Sequence, residues 1–75
     1  MIAYVLISLL DRDEREILDK LLSYKKVLEA HILFGEWDII AKIEAKTPEE
    51  AGTFVMEKIR SLPNVKITST LIVAR

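Results

Sequence analysis

The sequence predicts an α+β domain in which four antiparallel strands form one sheet and two helices cover one of its faces. Three observations lead to this fold. Apolar runs that suit strands begin and end the chain and lie on both sides of residue 35. Two segments between them have apolar residues at helical spacing. The resulting order, β-α-β-β-α-β, is that of the ferredoxin-like arrangement, in which the first and third strands are central. At 75 residues, the chain is expected to form one domain, residues 1–75.

The first predicted strand spans residues 2–10, an apolar run interrupted only by Ser8. Such a run is typical of a central strand that is covered on both faces. The next segment, residues 11–24, changes to helical spacing. Its apolar stripe consists of Ile17, Leu18, Leu21 and Leu22.

Asp11 or Asp13 is expected to cap this first helix, with Glu14 reaching back from its first turn. The charged start of the helix is interpreted as a solvated face. No apolar residues surround these carboxylates, so nothing there would shift a pKa as catalysis requires.

A hairpin is predicted at the centre of the chain, between the strands of residues 27–34 and 37–45. Gly35 and Glu36 form a two-residue turn in this prediction, and Gly35 supplies a positive φ. The alternation of side chains supports the resulting register, because a slip of one residue would mix the two faces. The predicted cross-strand pairs are Phe34–Trp37, Ile32–Ile39, Ala30–Ala41 and Leu28–Ile43 on an apolar face, and His31–Ile40 and Glu29–Lys42 on the other.

The second helix begins with a strong signal. Thr47 is the expected N-cap, Pro48 the first helical residue, and Glu50 the partner in a capping box. The helix is predicted to reach about residue 62 before Pro63 and Asn64 stop it. Residues 65–74 follow as a strand rich in β-branched side chains. The residues that this helix should bury are Ala51, Phe54, Val55, Ile59 and Leu62. Gly52 within it is either tolerated or allows the close approach of a neighbour.

The sheet face opposite the helices is expected to be too apolar to remain in water. Its residues should include Tyr4 or Val5, His31, Ile40, and Thr70 or Leu71. A short chain that is 51% hydrophobic and has no cysteine can gain stability by association. The sequence therefore predicts an oligomer, with a second subunit on this face.

Composition excludes several classes of function. With no cysteine and one histidine, neither a disulfide nor a metal site is expected, and nothing in the sequence calls for a cofactor. The net charge is −1 and no basic stripe is present, which disfavours nucleic-acid binding by this chain alone. No run approaches the ~18 apolar residues of a membrane span, and no signal peptide is recognisable. A cytoplasmic location is expected.

Two segments carry polar groups that could meet a ligand. The tip of the hairpin combines Gly35 with the carboxylate of Asp38, and the last strand carries the hydroxyls of residues 68–70. The alternative is structural: a plain turn, Trp37 in the core, a solvated Asp38, and threonines chosen for their β-propensity. No catalytic constellation is evident. His31 could be oriented by Glu29, for which Lys42 competes, but a packed or interface histidine is the simpler interpretation.

These residues together resemble one family. The matching segments are Val27 and Glu29, the motif Gly35-Glu36-Trp37-Asp38, the strand Ile39-Ile40-Ala41, the turn Leu62-Pro63-Asn64-Val65 and the ending at residues 68–73. In this order they are similar to the effector-binding (RAM) domain of the Lrp/AsnC transcription regulators. Two departures stand out. The family usually has a small hydroxyl residue where this chain has Phe34, and residue 1 already begins a strand. The chain is thus similar to the stand-alone members, which lack the helix-turn-helix.

The resemblance implies dimers with apposed sheets, assembled into rings that commonly contain four dimers, that is, an octamer. It also implies that an amino acid or related small effector binds between dimers. The ligand-binding residues would be Gly35, Glu36, Trp37, Asp38, Thr68, Ser69 and Thr70. Backbone N–H groups around Gly35 could hold a carboxylate, and Asp38 could accept from an ammonium group. Alternatively, Asp38 only ties down its own turn.

The function that the resemblance implies is a non-enzymatic sensing and oligomerisation module. It would bind an effector, or co-assemble with full-length Lrp/AsnC regulators, and would not contact DNA directly. Two alternatives remain open. One is a small dimeric α+β-barrel enzyme of the monooxygenase or isomerase type, which should place polar groups in a pocket between helices and sheet. The other is an assembly adaptor without a ligand.

Overall fold

One antiparallel sheet with strand order β2-β3-β1-β4 organises the computed structural model, which describes residues 1–75. The elements are β1 (Ile2–Leu9), α1 (Glu14–Leu22), β2 (Val27–Ile32), β3 (Ile39–Glu44), α2 (Pro48–Phe54) and β4 (Val65–Ile72). A π-helical segment, Val55–Ile59, continues α2. The predicted ferredoxin-like order is confirmed, and β1 and β3 are the central strands. No helix is both long enough and apolar enough to cross a membrane.

Strand β1 buries only one of its faces within the chain. Its odd-numbered side chains are buried and its even-numbered ones are partly exposed, in strict alternation. The prediction that β1 is covered on both faces is therefore wrong for a single chain, because both helices lie on one side of the sheet. All 18 buried residues are hydrophobic, and the largest fully buried side chains are Ile7, Leu21, Ile39, Ile43, Ile59 and Val5.

Helix α1 is shorter than predicted and lacks the predicted cap. Asp13 occupies the N-cap position, but its side chain makes no capping hydrogen bond. Instead, the Asp13 N–H donates to Asp11 Oδ1 at 3.2 Å. Leu22, expected in the buried stripe, is 49% exposed. At about 100° per residue it lies roughly 90° from the centre of the stripe formed by the other three apolar residues, so the helix turns it away from the sheet.

Helix α2 begins as predicted, with one change in its cap. The Glu50 N–H donates to Thr47 Oγ1 at 3.0 Å. Glu50 Oε2 accepts from the Lys46 N–H at 2.6 Å, one residue before the N-cap, rather than from Thr47. That hydrogen bond, together with Lys26, whose Nζ is 3.4 Å from Glu50 Oε2, lowers the pKa of Glu50. All five residues that the second helix was predicted to bury are buried.

The hairpin register is confirmed from Glu29–Lys42 to Ile32–Ile39 and fails at both ends. A bulge places Val27 rather than Leu28 opposite Ile43, and Leu28 is consequently 50% exposed. At the other end the strands stop at Ile32 and Ile39, so residues 33–38 form an open loop instead of a two-residue turn. The predicted pairing of residues 34 and 37 is absent from the ladder.

The backbone of Asp38 explains why the hairpin opens early. The Asp38 C=O accepts from the Leu33 N–H at 2.8 Å, on the β2 side, whereas the Asp38 N–H donates to the Ile7 C=O at 2.9 Å, on the β1 side. In a regular antiparallel strand the N–H and C=O of one residue point to the same neighbouring strand. The strand geometry therefore breaks at Asp38.

The sheet face without helices is here called the open face. Residues paired directly across strands point to the same side, which assigns its members. They are Ile2, Tyr4, Leu6, Ser8, Glu29, His31, Ile40, Lys42, Glu44, Ile67, Ser69 and Leu71. Of the predicted alternatives, Tyr4 and Leu71 lie on this face. Val5 and Thr70, which are paired with each other, lie on the helix side.

Candidate ligand site at the β2–β3 loop

The β2–β3 loop is tied to the end of β1 by Asp38. Besides the two backbone hydrogen bonds of this residue, its side-chain Oδ2 accepts from the Leu9 N–H at 2.7 Å. Asp38 is half-buried, and no hydrogen bond within the chain engages its Oδ1. The carboxylate does not brace its own turn, as one alternative expected. It anchors the loop to a strand 29 residues away in sequence and leaves one oxygen free.

The apex of this loop is open to solvent. Gly35 has φ of +142°, as the sequence predicted in sign, and no heavy atom lies within 4 Å of the position where its Cβ would be. Phe34 is completely exposed, Glu36 is exposed, and Trp37 is half-buried rather than part of the core. The loop thus presents an aromatic ring and unpaired backbone N–H groups to the surroundings.

A cavity of about 420 Å³ lies between this loop and the β1–α1 connection. Gly35, Asp38 and Phe34 line it from one side. Leu10 and Arg12 line it from the other, together with the acidic residues Asp11 and Glu14. The cavity therefore combines apolar surface with charges of both signs, which is what the recognition of a small zwitterion requires.

The β1–α1 connection is itself held in place by Asn64, the residue before β4. The Leu10 N–H donates to the Asn64 C=O at 2.7 Å, and the Asp11 N–H donates to Asn64 Oδ1 at 2.7 Å. Asn64 Nδ2 donates a hydrogen bond of 3.3 Å to the Asp11 C=O. Asn64 adopts φ of +79°, a conformation that asparagine tolerates better than most residues. The Pro63-Asn64 stop thus also shapes one wall of the cavity.

The hydroxyls of β4 do not join this cavity within one chain. Thr68 pairs with Ile7 and Thr70 pairs with Val5, so both threonines lie on the helix side of the sheet. Ser69 pairs with Leu6 and lies on the open face. Of the seven residues proposed from the sequence, only Gly35 and Asp38 line the cavity.

The single histidine is part of a surface ion cluster on the open face. His31 Nε2 lies 2.9 Å from Glu29 Oε1, and Lys42 Nζ lies 3.9 Å from Glu29 Oε2. The hydrogen bond to His31 lowers the pKa of Glu29, and Lys42 adds to this effect. The side chains of His31 and Glu29 are 62% and 52% exposed. Lys42 was expected to compete with His31 for Glu29, and the two share its carboxylate. The cluster lies on a surface without the enclosure that proton transfer needs.

Sequence reasoning missed Arg12, Leu10 and Asn64 as site residues. The sequence predicts a solvated helix face for Arg12 and only a helix stop for Asn64. The strand order of the sheet indicates that these residues lie near the β2–β3 loop. Because β1 is antiparallel to both β3 and β4, the end of β1 lies at the same edge of the sheet as the starts of β3 and β4.

The two glycines give a matched test of this geometry. We expect Gly35→Ala to lower the free energy of unfolding by about 1–3 kcal/mol, because a side chain at a strongly positive φ is strained even in open space. Gly52→Ala, at an exposed position of helix α2 that also has no neighbour within 4 Å, should raise it by about 0.5–1 kcal/mol. Urea unfolding of both variants measures the difference. Equal effects of one sign would contradict the assigned loop conformation.

Comparison with known protein families gives one match over nearly the whole chain. The family model of the Lrp/AsnC ligand binding domain matches residues 2–75. An uncharacterised helix-turn-helix transcriptional regulator of Pyrococcus furiosus is 37% identical over 59 residues, covering 79% of this chain and 39% of that protein. The chain spans about half the length of the curated relatives that it matches.

Solved structures share the fold over the full chain. The crystal structure of FFRP-DM1 is 39% identical in sequence, with a TM-score of 0.90 and 96% of each chain covered. A transcriptional regulator of Neisseria meningitidis, solved as a complex with L-Met, is 21% identical with a TM-score of 0.86, covering 99% of this chain and 49% of that one. At this identity the second likeness concerns the fold alone.

Proposed function

Because the chain belongs to the Lrp/AsnC ligand-binding domain family, we propose that it senses an amino acid or related small effector and, by its oligomeric state, modulates transcription regulation. The observation that carries the proposal is the cavity beside the β2–β3 loop. It is lined by Arg12, by Asp38, whose Oδ1 accepts no hydrogen bond within the chain, and by apolar residues that include Leu10 and Phe34. A small molecule with an amino group and a carboxylate finds a partner for each charge there.

The proposed site also has an intermolecular part. One side of this site is the loop that contains Gly35, Glu36, Trp37 and Asp38. The hydroxyls of residues 68–70 reach the same ligand from a neighbouring subunit. Within one chain the threonines face the helices and Ser69 faces away from them, so only an assembly can bring this segment to the loop. The Neisseria regulator, whose complex contains L-Met, makes an amino acid the first ligand to test.

Association through the open face is the second part of the proposal. Leu71 and Ile67 on this face are 52% and 53% exposed, beside the half-buried Leu6 and Ile40 of the central strands. Four partly exposed apolar residues on neighbouring strands of one face support a dimer with apposed sheets. Such dimers assemble further, up to a ring of four dimers, and co-assemble with full-length regulators in the cytoplasm. These 75 residues do not contact DNA directly.

The enzyme alternative depends on polar groups enclosed between helices and sheet, and the buried residues in that layer are all hydrophobic. This observation favours a binding module over an α+β-barrel enzyme that works within one chain. The curated relatives, which are transcriptional regulators about twice the length of this chain, also favour a non-enzymatic role.

A thermal-shift screen against the twenty amino acids, read alongside native mass spectrometry, tests this function. An amino acid present at about 100 times its Kd should stabilise the protein by roughly 2.7 kcal/mol if it binds only the folded form. The mass spectra should show an assembly larger than a monomer, with its distribution changed by the same amino acid. If none of the twenty shifts either quantity, the sensing function is wrong for this chain.

A further inference from the structure

Arg12 lies between two hydrogen-bonded residues, and its side chain forms no ion pair within the chain. The residue before it, Asp11, is held by the Asn64 side chain through hydrogen bonds of 2.7 and 3.3 Å. The residue after it, Asp13, donates its N–H to Asp11 Oδ1 at 3.2 Å. These bonds restrain the chain on both sides of Arg12, which lines the cavity. No carboxylate lies within 4.0 Å of its guanidinium, although Asp11, Glu14 and Asp38 line the same cavity.

Arg12 and Asp38 line the same cavity, and neither the Arg12 guanidinium nor Asp38 Oδ1 has a partner within the chain. Asp38 Oδ2 is engaged by the Leu9 N–H, three residues before Arg12, and this bond fixes the direction of the carboxylate. A guanidinium donates two parallel N–H bonds to a carboxylate, whereas the backbone N–H groups at the loop apex are single neutral donors. Among the groups at this cavity, Arg12 is therefore the strongest binding partner for an anionic group of a ligand.

We propose that the Arg12 guanidinium binds the carboxylate of the effector in the cavity between the β1–α1 connection and the β2–β3 loop, while Asp38 accepts from its ammonium group. This inference rests on the proposed function and defines its ligand class: a zwitterion with a free carboxylate, which excludes amines and amides. Leu10, 68% exposed, and the fully exposed Phe34 offer apolar contacts for the ligand side chain. Asn64 acts as a positioning residue that holds the connection.

Calorimetry with paired ligands tests the role of Arg12. L-Leucine and L-leucinamide differ only in the carboxylate, and the same comparison is made with the acid and amide of the amino acid that gives the largest thermal shift. Wild type should bind the acid at least about 10-fold more tightly than the amide, the usual effect of a charge-assisted pair. In Arg12→Ala, affinity for the acid should fall by at least about 10-fold and the acid–amide difference should disappear.

Two further variants separate charge, geometry and folding. Arg12→Lys keeps the charge but loses the planar fork, and should give an intermediate acid–amide difference. Arg15→Ala removes an exposed arginine of α1 that does not line the cavity and should bind like wild type. An Arg12→Ala protein that still prefers the acid as wild type does would overturn the inference and leave the sensing function intact. Failure of wild type to bind any acid or amide would overturn both.

Discussion

A Leu6→Glu variant should dissociate into a monomer of 8.6 kDa under conditions in which the wild-type protein is an oligomer. Leu6 is on central strand β1, between Ile40 of β3 and Ser69 of β4, near the middle of the open face. A carboxylate placed there would be desolvated by a second sheet without gaining a partner. An uncompensated buried charge of this kind costs about 3–5 kcal/mol, which weakens association at least about 100-fold.

Size-exclusion chromatography with light scattering at micromolar concentration measures this change, and circular dichroism checks that the fold persists. Leu22→Glu is the control for the substitution itself, because it makes the same change at an exposed leucine on α1, away from the open face. This control should keep the wild-type mass. If wild type is itself monomeric, apposed sheets are ruled out; if Leu6→Glu keeps its partners, the interface lies elsewhere.

Substitution of Asp38 should have the second large effect, and two variants separate its two roles. Asp38→Ala removes the acceptor of the Leu9 N–H, which should lower the free energy of unfolding by about 1–3 kcal/mol. It should also abolish the ligand-induced stabilisation of roughly 2.7 kcal/mol expected at 100 times Kd. Asp38→Asn keeps an oxygen for the Leu9 N–H but loses the charge, so we expect near wild-type stability with about 10-fold weaker binding.

Urea unfolding and calorimetry with the best amino acid from the screen measure the two roles independently. Asp19→Asn, at an exposed position of α1 outside the cavity, controls for the loss of one negative charge and should change neither quantity. Wild-type affinity in Asp38→Asn would mean that the carboxylate anchors the loop without meeting the ligand, and the ammonium partner would have to be sought elsewhere.

Local patterns in the sequence determine much of this fold. Alternation of apolar residues sets the hairpin register from Glu29 to Ile32, because a slip would turn the apolar set to the wrong face. The Thr47 hydroxyl and Pro48 start α2 at the predicted residue through contacts between near neighbours in the chain. The Gly35 positive φ is likewise a local requirement. In each case the residues that decide the structure lie within a few positions of one another.

Only the tertiary structure decides where the site residues point. Side chains alternate along a strand with a period of two, so the sequence predicts that Thr68 and Thr70 share a face of the sheet. The register of β4 on β1, with its irregularity at Ser8, decides that this face is the one covered by the helices. Asp38 reaches Leu9, and Asn64 fixes Asp11 from 53 positions away. These contacts depend on which strands become neighbours. The cavity wall that contains Arg12 therefore exists only once β1, β3 and β4 lie side by side, and no local pattern in the sequence encodes it.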